Sequence, residues 1–336
     1  MSKEPVIGIT VGDPAGIGPE ITVKALIKHQ LNKKYRLVVF ADETVIRQAF
    51  DYTDLSADIH EVSHPDDFNF QSGSIHLVNE NMIRETVPMG VINADCGRSV
   101  FHYVSKAIEW AMSGWIDALA TAPLQKESLK QGGSPYLDHT AMCKALTQSE
   151  DATTLFMVDQ LRVFFLTRHI PLREVGDAVT EDLLLKAIPR CLDYLKQLGL
   201  NEPVLAVAAL NPHGGEDGLF GTEERDTIIP AIEKAKARKL RVEGPIPGDS
   251  VFHLAHEGLV DGVLSLYHDQ GHIATKTLDF YRTVSLTLGL PFLRTSVDHG
   301  TAFNIAGGNI ANETSMIEAI RCAVRYAPFI QTKVTS

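Results

Sequence analysis

Val6-Ile7-Gly8-Ile9-Thr10-Val11-Gly12-Asp13-Pro14-Ala15-Gly16-Ile17-Gly18-Pro19-Glu20 runs from an apolar, β-branched segment through a glycine-rich turn into a helix-like stretch that lasts to Lys28. An apolar run without alternation suits a strand buried on both faces, as parallel sheets require. Pro19 suits the first turn of a helix, where its missing N–H costs nothing. The same alternation recurs along the chain. Strand-like runs fall at residues 6–11, 37–40, 74–77, 118–122, 152–158, 162–166, 204–210 and 262–266, and helix-like runs at 19–28, 94–113, 181–198 and 223–238. This order predicts an α/β fold with a largely parallel sheet. The turn itself has two readings, a purely structural bend or backbone N–H groups aimed at an anion. It is neither a Walker A loop, lacking Gly-Lys-Ser/Thr, nor a GxGxxG, because position 21 is Ile21. Asp42 ends the next strand, where a ribose-binding acid would sit.

The 336 residues suggest two domains or one large one, and 44% hydrophobic with 22% charged residues is ordinary for a globular enzyme. A formal charge of −11 excludes a general nucleic-acid binder but not a small anionic substrate in a locally basic pocket. Cys96, Cys143, Cys191 and Cys322 are far apart and form no CxxC pair, so reduced thiols are expected. No signal-type or membrane-spanning run is visible, and the cytoplasm and no membrane partner are the expectations. No repeat or linker marks a domain boundary. The basic stretch 234–241 reads as the end of a helix, where cations suit the dipole.

Ligands of open parallel sheets bind beyond the carboxyl ends of the strands. Reactive residues concentrate there: Lys126 after 118–122, Arg168 and His169 after 162–166, His213 after 204–210, and His268 and Asp269 after 262–266. If the last three strands are neighbours, His169, His213 and His268 converge as a first shell for a divalent metal. Otherwise each histidine merely caps a strand. Asp138-His139-Thr140 either caps the helix-like run from Ala141 or offers His139 and Thr140 to a substrate. Lys276 and Arg294 flank a strand-like stretch at 283–288 and are exposed cations or partners of a phosphate or carboxylate.

The blocks 11–20, Asn211-Pro212-His213, Gly218-Leu219-Phe220-Gly221, Tyr267-His268-Asp269-Gln270-Gly271-His272, Gly289-Leu290-Pro291-Phe292 and 294–302 together resemble the 4-phosphohydroxy-L-threonine dehydrogenase family of vitamin B6 (pyridoxine) biosynthesis, from about residue 6 to about residue 325. The resemblance implies two α/β/α lobes of the isocitrate and isopropylmalate dehydrogenase type, at 1–130 with about 300–336 and at about 131–299, the second carrying most metal and substrate ligands. It implies a homodimer with its active site at the interface. His169, His213 and His268 would bind the metal, His268 coming from the partner. His139, Thr140, Lys276, Ser285 and Arg294 would bind substrate, and Asp249 and Asp269 match nearby acidic positions. The stretch 299–308 with Ile310-Ala311-Asn312 is similar to the adenosine-binding loop of isopropylmalate dehydrogenases, which implies that His299, Gly300, Thr301, Asn304 and Asn312 hold NAD. Asn304 replaces that family's aspartate and repels a 2′-phosphate less, so NADP stays possible.

The expected reaction is metal-assisted oxidation of a small phosphorylated hydroxy acid, followed by decarboxylation. One candidate is 4-phosphohydroxy-L-threonine going to 3-amino-2-oxopropyl phosphate; another is a four-carbon sugar-acid phosphate. Lys126, Asp249 and Asp269 are the proton acceptors to choose among. Zinc, cobalt, magnesium and manganese stay open, with imidazoles favouring zinc or cobalt. Where the family reads Gly-His-Thr-Glu this chain has Asp138-His139-Thr140-Ala141, and Ser285 replaces an asparagine. Those departures leave open a relative acting on a non-phosphorylated diol carboxylate. A metal-dependent hydrolase, an acyltransferase and a silent small-ligand sensor are the readings from other classes.

Overall fold

The computed structural model describes residues 4–330, and both ends of the expected first lobe, 1–3 and 331–336, lie outside them. The strands are β1 (Val6–Thr10), β2 (Arg36–Ala41), β3 (Ile59–Glu61), β4 (Ile75–Asn79), β5 (Ala118–Thr121), β6 (Thr153–Val158), β7 (Leu161–Phe165), β8 (Leu205–Ala208), β9 (Val242–Ile246), β10 (Gly262–Ser265), β11 (Val284–Leu288) and β12 (Leu293–Val297). The chain divides into two compact units. One ends at Thr153 and resumes at Val284; the other is Thr154–Thr283.

In the first unit the strands lie in the order β3-β4-β2-β1-β5-β12-β11. Every neighbouring pair is parallel except β11 with β12. The helix Ala94–Met112 shows why an amphipathic sequence docks here. Cys96, Val100, Tyr103, Val104, Ala107 and Ala111 recur at helical spacing and are buried, and Asn93 caps the start by accepting from the N–H groups of Asp95 and Cys96. Val100 and Val104 each contribute about 1.5–3 kcal/mol by leaving water. In the second unit the order is β6-β7-β10-β8-β9, and β7, β10, β8 and β9 are parallel neighbours; only β6 with β7 is antiparallel. The expected mostly parallel α/β architecture is present.

The units divide at 153/154 and 283/284, not at 130/131 and 299/300. The reason is pairing: Arg294 of β12 stands opposite Leu119 of β5, and Ser285 of β11 opposite Ser296. His139, Thr140, Ser285 and Arg294 therefore belong to the first unit, and Lys276 to the second. Three strands were not expected from sequence, β3, β9 and β12. β3 has three residues, and β9 carries Gly244-Pro245 and forms the sheet edge, where a proline is tolerated. The basic stretch does close a helix, Ile229–Ala237, with Lys234 and Lys236 in its last turn. All four cysteines are buried free thiols, and among the described residues no helix is long and apolar enough to cross a membrane.

Candidate active site

The glycine-rich turn after β1 is a structural device. Gly12 has φ +70°, and a side chain there would meet the Pro123 carbonyl at 2.1 Å. Asp13 is fully buried, its Oδ1 accepting from the Ala15 N–H at 2.9 Å and its Oδ2 without a hydrogen-bond partner. Burial pushes this carboxyl up from 3.8 to about 6, against the smaller opposing pull of the Ala15 N–H. A buried acid at the centre of the turn is the wrong lining for an anion. Asp42 also drops out as a ribose ligand. Its carboxylate is buried and accepts from Met82 N, Ile83 N and the Tyr103 hydroxyl, the last at 2.6 Å.

The strand register builds a polar floor in the first unit. Thr10 stands opposite Thr121, Thr121 opposite Ser296, and Ser296 opposite Ser285, so four hydroxyls cross four adjacent strands on one face. Thr287 and Arg294, opposite one another, lie two residues away on that same face. Arg294 is 5% exposed. Its guanidinium donates to Thr121 Oγ1 from Nε (3.2 Å) and Nη2 (2.9 Å), and to Thr287 Oγ1 from Nη1 (3.0 Å). It forms no ion pair with any described carboxylate. Burial lowers its pKa, offset in part by the more distant Cys143 and Asp138. Asp138 caps the helix His139–Leu146, its Oδ1 accepting from the Ala141 N–H at 2.8 Å. His139, the next residue, is buried with Nε2 lacking a partner, and burial and then the nearby Arg294 charge push its pKa well below 6.5. It is a neutral imidazole. The capping reading of this segment holds in Asp138, and His139 carries an unsatisfied ring nitrogen. Thr140 is half-buried, Ser285 is buried, and Lys126 is exposed at the first position of the helix Lys126–Gln131.

The stretch 299–312 also lies in this unit. Its entry is fixed by the Ile17 N–H donating to the Thr301 carbonyl at 3.1 Å. His299 is half-buried, Nδ1 3.0 Å from the Gly300 carbonyl. Asn304 and Asn312 are exposed, and nothing lies within 4 Å of where a side chain on Gly300 would project. Open backbone beside exposed amides fits a dinucleotide's hydroxyls and ring edge.

In the second unit β7, β10 and β8 are parallel neighbours, so His169, His268 and His213 leave the same edge of the sheet. The His169 and His268 rings lie 5.6 Å apart, and Asp269 Oδ1 is 2.7 Å from His268 Nδ1. That contact fixes the ring and leaves Nε2 to a ligand. Thr167, Arg168, His169, Tyr267, His268 and Asp269 line a cavity of about 190 Å³. His213 is not brought to it. It opens a run of left-handed backbone from His213 (φ 54°) to Asp217 (φ 53°), and its ring lies 6.2 Å from Phe220. Among the described residues no three His, Cys, Asp or Glu side chains are grouped to hold a metal. The donor chemistry suits a transition metal, but the donor count within one chain is incomplete. Asp249 is exposed and accepts from Ser250 Oγ; Lys276 lies 5.3 Å over the Phe280 ring.

Two supports were missed in the sequence. Gln270 accepts from the Leu266 N–H (2.7 Å) through Oε1 and donates to the Ala209 carbonyl (2.7 Å) through Nε2. Glu224, buried, accepts from Leu210 N, Asn211 N and Asn211 Nδ2 at 2.7–2.8 Å and so shapes the turn before His213. Gln270 could have been found, two residues after His268 at a helix start; Glu224 gives no local signal.

Comparison with known proteins places this geometry. Residues 33–323 match the family model of the pyridoxal phosphate biosynthetic protein PdxA. A Clostridium botulinum protein named "Putative D-threonate 4-phosphate dehydrogenase" is 48% identical over 329 residues, 98% of each chain. The crystal structure of the Klebsiella pneumoniae 4-hydroxythreonine-4-phosphate dehydrogenase is 38% identical, with TM-score 0.88 over 96% of this chain and 99% of that one. A terephthalate 1,2-cis-dihydrodiol dehydrogenase from Burkholderia xenovorans is 27% identical, with TM-score 0.65 over 96% and 98%. The expectation of an oxidoreductase acting on a CH–OH group agrees with all three names. The chain belongs to the PdxA family.

Proposed function

We propose that this member of the PdxA family oxidises a phosphorylated four-carbon hydroxy acid with NAD, and that its substrate is a sugar-acid phosphate of the D-threonate 4-phosphate kind. The observation that carries the reading is Arg294, a buried guanidinium held by threonine hydroxyls and lacking a carboxylate partner among the described residues. A buried charge without a counterion is costly, and an anionic ligand removes the cost. His139, neutral and with Nε2 open, adds one hydrogen bond of either polarity to the same anion or to a substrate hydroxyl.

Substrate identity turns on Ala141 and Asp138. 4-Phosphohydroxy-L-threonine carries an ammonium group, whereas threonate 4-phosphate has a hydroxyl in its place. Ala141 offers no carboxylate to an ammonium, and Asp138 is occupied in capping its helix. Ser285 contributes a hydroxyl, which suits a polyol as well as an amine. The name of the 48%-identical relatives supports the same choice.

The stretch 299–312 would hold the dinucleotide through Asn304 and Asn312, and a bound nicotinamide supplies the hydride acceptor. His169 and His268 would supply two ligands to a divalent ion, which would provide Lewis-acid polarisation of a substrate oxygen, and His213, which leaves the same sheet edge but lies beside Phe220, would have to turn to join them. The incomplete donor set of one chain supports a homodimer in which a second copy completes it. Asp269 orients His268, which leaves Lys126 and Asp249 as the freer candidates to take the hydroxyl proton. Oxidation at the carbon β to the carboxylate yields a β-keto acid that loses carbon dioxide.

The test is reduction of NAD, followed by absorbance, with 4-phosphohydroxy-L-threonine, D-threonate 4-phosphate and D-erythronate 4-phosphate in turn. Reduction with a sugar-acid phosphate alone is expected. Preference for the amino compound would overturn the substrate assignment, and turnover of a non-phosphorylated diol carboxylate in preference to all three would overturn the role given to Arg294.

A further inference from the structure

Helix residues far from the polar floor converge on the end of the stretch 299–312. The Lys24 ammonium is buried, 6% exposed, and donates to three acceptors: Glu20 Oε1 at 2.7 Å, the Asn309 carbonyl at 3.1 Å and the Ala311 carbonyl at 3.1 Å. Glu20 is fully buried, and the same Oε1 accepts from the Ala311 N–H at 2.8 Å. One turn further along, Lys28 Nζ and His29 Nε2 each lie 2.8 Å from Glu313 Oε1. Glu20 and Lys24 are four residues apart across the end of the helix Gly18–Val23, and Lys28 closes the π-helical turn Lys24–Lys28 that follows. The segment that fixes the loop's entry through Ile17 and Thr301 thus fixes its exit too.

Helix packing alone does not call for this arrangement. An ammonium taken out of water needs its hydrogen bonds replaced, and here two of the three come from carbonyls flanking the exposed residue Ile310. Those carbonyls belong to a loop that has no regular secondary structure of its own between Gly300 and Glu313. A binding loop ordered before its ligand arrives loses less entropy on binding.

We infer that Glu20 and Lys24 are positioning residues for dinucleotide binding: their buried pair locks the backbone of 309–311 and so pre-forms the loop that carries Asn304 and Asn312. The inference rests on the reading of that loop as the NAD site. It assigns no contact with the dinucleotide to either residue; both act through the loop.

The experiment uses the full-length protein and NAD. The double variant Glu20→Gln/Lys24→Met removes both charges at nearly constant volume, so neither is left buried alone. If the loop is then competent about one-tenth of the time, the Kd for NAD by calorimetry rises about tenfold. KM for NAD rises alike, while kcat at saturating NAD and KM for the hydroxy acid stay within about twofold. Lys24→Arg, which retains donors, recovers most of the affinity. Asn304→Ala serves as the reference for the loop itself. If Asn304→Ala weakens NAD and the double variant does not, the positioning role is wrong. If neither weakens it, the loop is not the dinucleotide site and the inference falls with that reading. Hydrogen exchange on the unmodified protein needs no variant. The Ala311 amide should be protected before NAD is added, and rapid exchange there would overturn a pre-formed loop.

Discussion

Replacing Arg294 by methionine removes a charge and leaves an apolar side chain of similar reach. Guanidinium has five N–H donors, and Arg294 uses three of them on Thr121 and Thr287. Two remain for a ligand. Hydrogen bonds to a charged group contribute about 1.5–3 kcal/mol each, so the substrate anion loses about 3–6 kcal/mol, and kcat/KM falls about 10²–10⁴-fold. Stability moves the other way. Among the described residues no carboxylate is paired with Arg294, so the variant sheds a desolvated charge and its Tm is expected to stay level or rise. Thr121 Oγ1 still has the Thr295 carbonyl as acceptor at 3.3 Å. Inorganic phosphate at ten times its Kd should stabilise the unmodified protein by about 1.4 kcal/mol and the variant not at all. Thermal melts with and without phosphate, beside steady-state kinetics, read all three quantities. A variant that melts well below the parent yet keeps kcat/KM within tenfold would show that Arg294 is a structural residue and that the anion binds elsewhere.

Chelation should silence the unmodified enzyme and zinc or cobalt should restore it, while His213→Ala stays more than about 100-fold slower at any metal concentration, beyond the loss typical of an outer-shell partner; full activity in chelator would remove the metal from the scheme. Asp13 links stability to pH. Its pKa is raised from 3.8 unfolded to about 6 folded, so the folded state binds the proton more tightly, and the stabilisation this group contributes is fully present below pH 4 and is lost as pH rises through 6. At about 1.4 kcal/mol per pH unit the full effect is about 3 kcal/mol, and Asp13→Asn should flatten that slope in denaturant titrations at pH 4 to 7. Tyr103→Phe should lower stability by about 1–3 kcal/mol and leave the choice between NAD and NADP untouched; a changed preference would restore Asp42 as a ribose ligand. Asn304→Asp places a negative charge where a 2′-phosphate would sit, which costs at least about 1 kcal/mol at ~4 Å even in water, so NADP use should fall about fivefold or more while NAD use changes little.

The parallel strands were legible because burial on both faces leaves an apolar run that needs no partner to be recognised. β12 was not, since Leu293-Arg294-Thr295-Ser296-Val297 has three polar residues in a row at its centre although all five residues are buried. Arg294 and Ser296 face the floor of hydroxyls while Thr295 points to the other face and donates to the Ala319 carbonyl, and only the pairing with β5 reveals that. The adjacency of the histidine-bearing strands was legible by position, and β7, β10 and β8 are indeed neighbours. What sequence could not supply was the backbone between strand end and side chain: the left-handed run from His213 carries its ring toward Phe220. Glu20 and Lys24 were invisible for a different reason. Glu20 ends a recognised block and Lys24 lies in the helix-like run after it, but the partners Asn309 and Ala311 are 285 and 287 residues from Lys24, and no local pattern encodes such a contact.

Gln270 sits where two of the histidine-bearing strands end, with one amide holding Leu266 after β10 and Ala209 after β8. In mechanical terms it is a strut. His268 and His213 depart from backbone that cannot spread without breaking that amide's bonds at both ends, so the second unit would meet a ligand with a gauge fixed by strand spacing and not by loop drift. Adaptation to ligands of different length must then come from side-chain rotation, or from the segments beyond residue 211, rather than from the sheet edge itself.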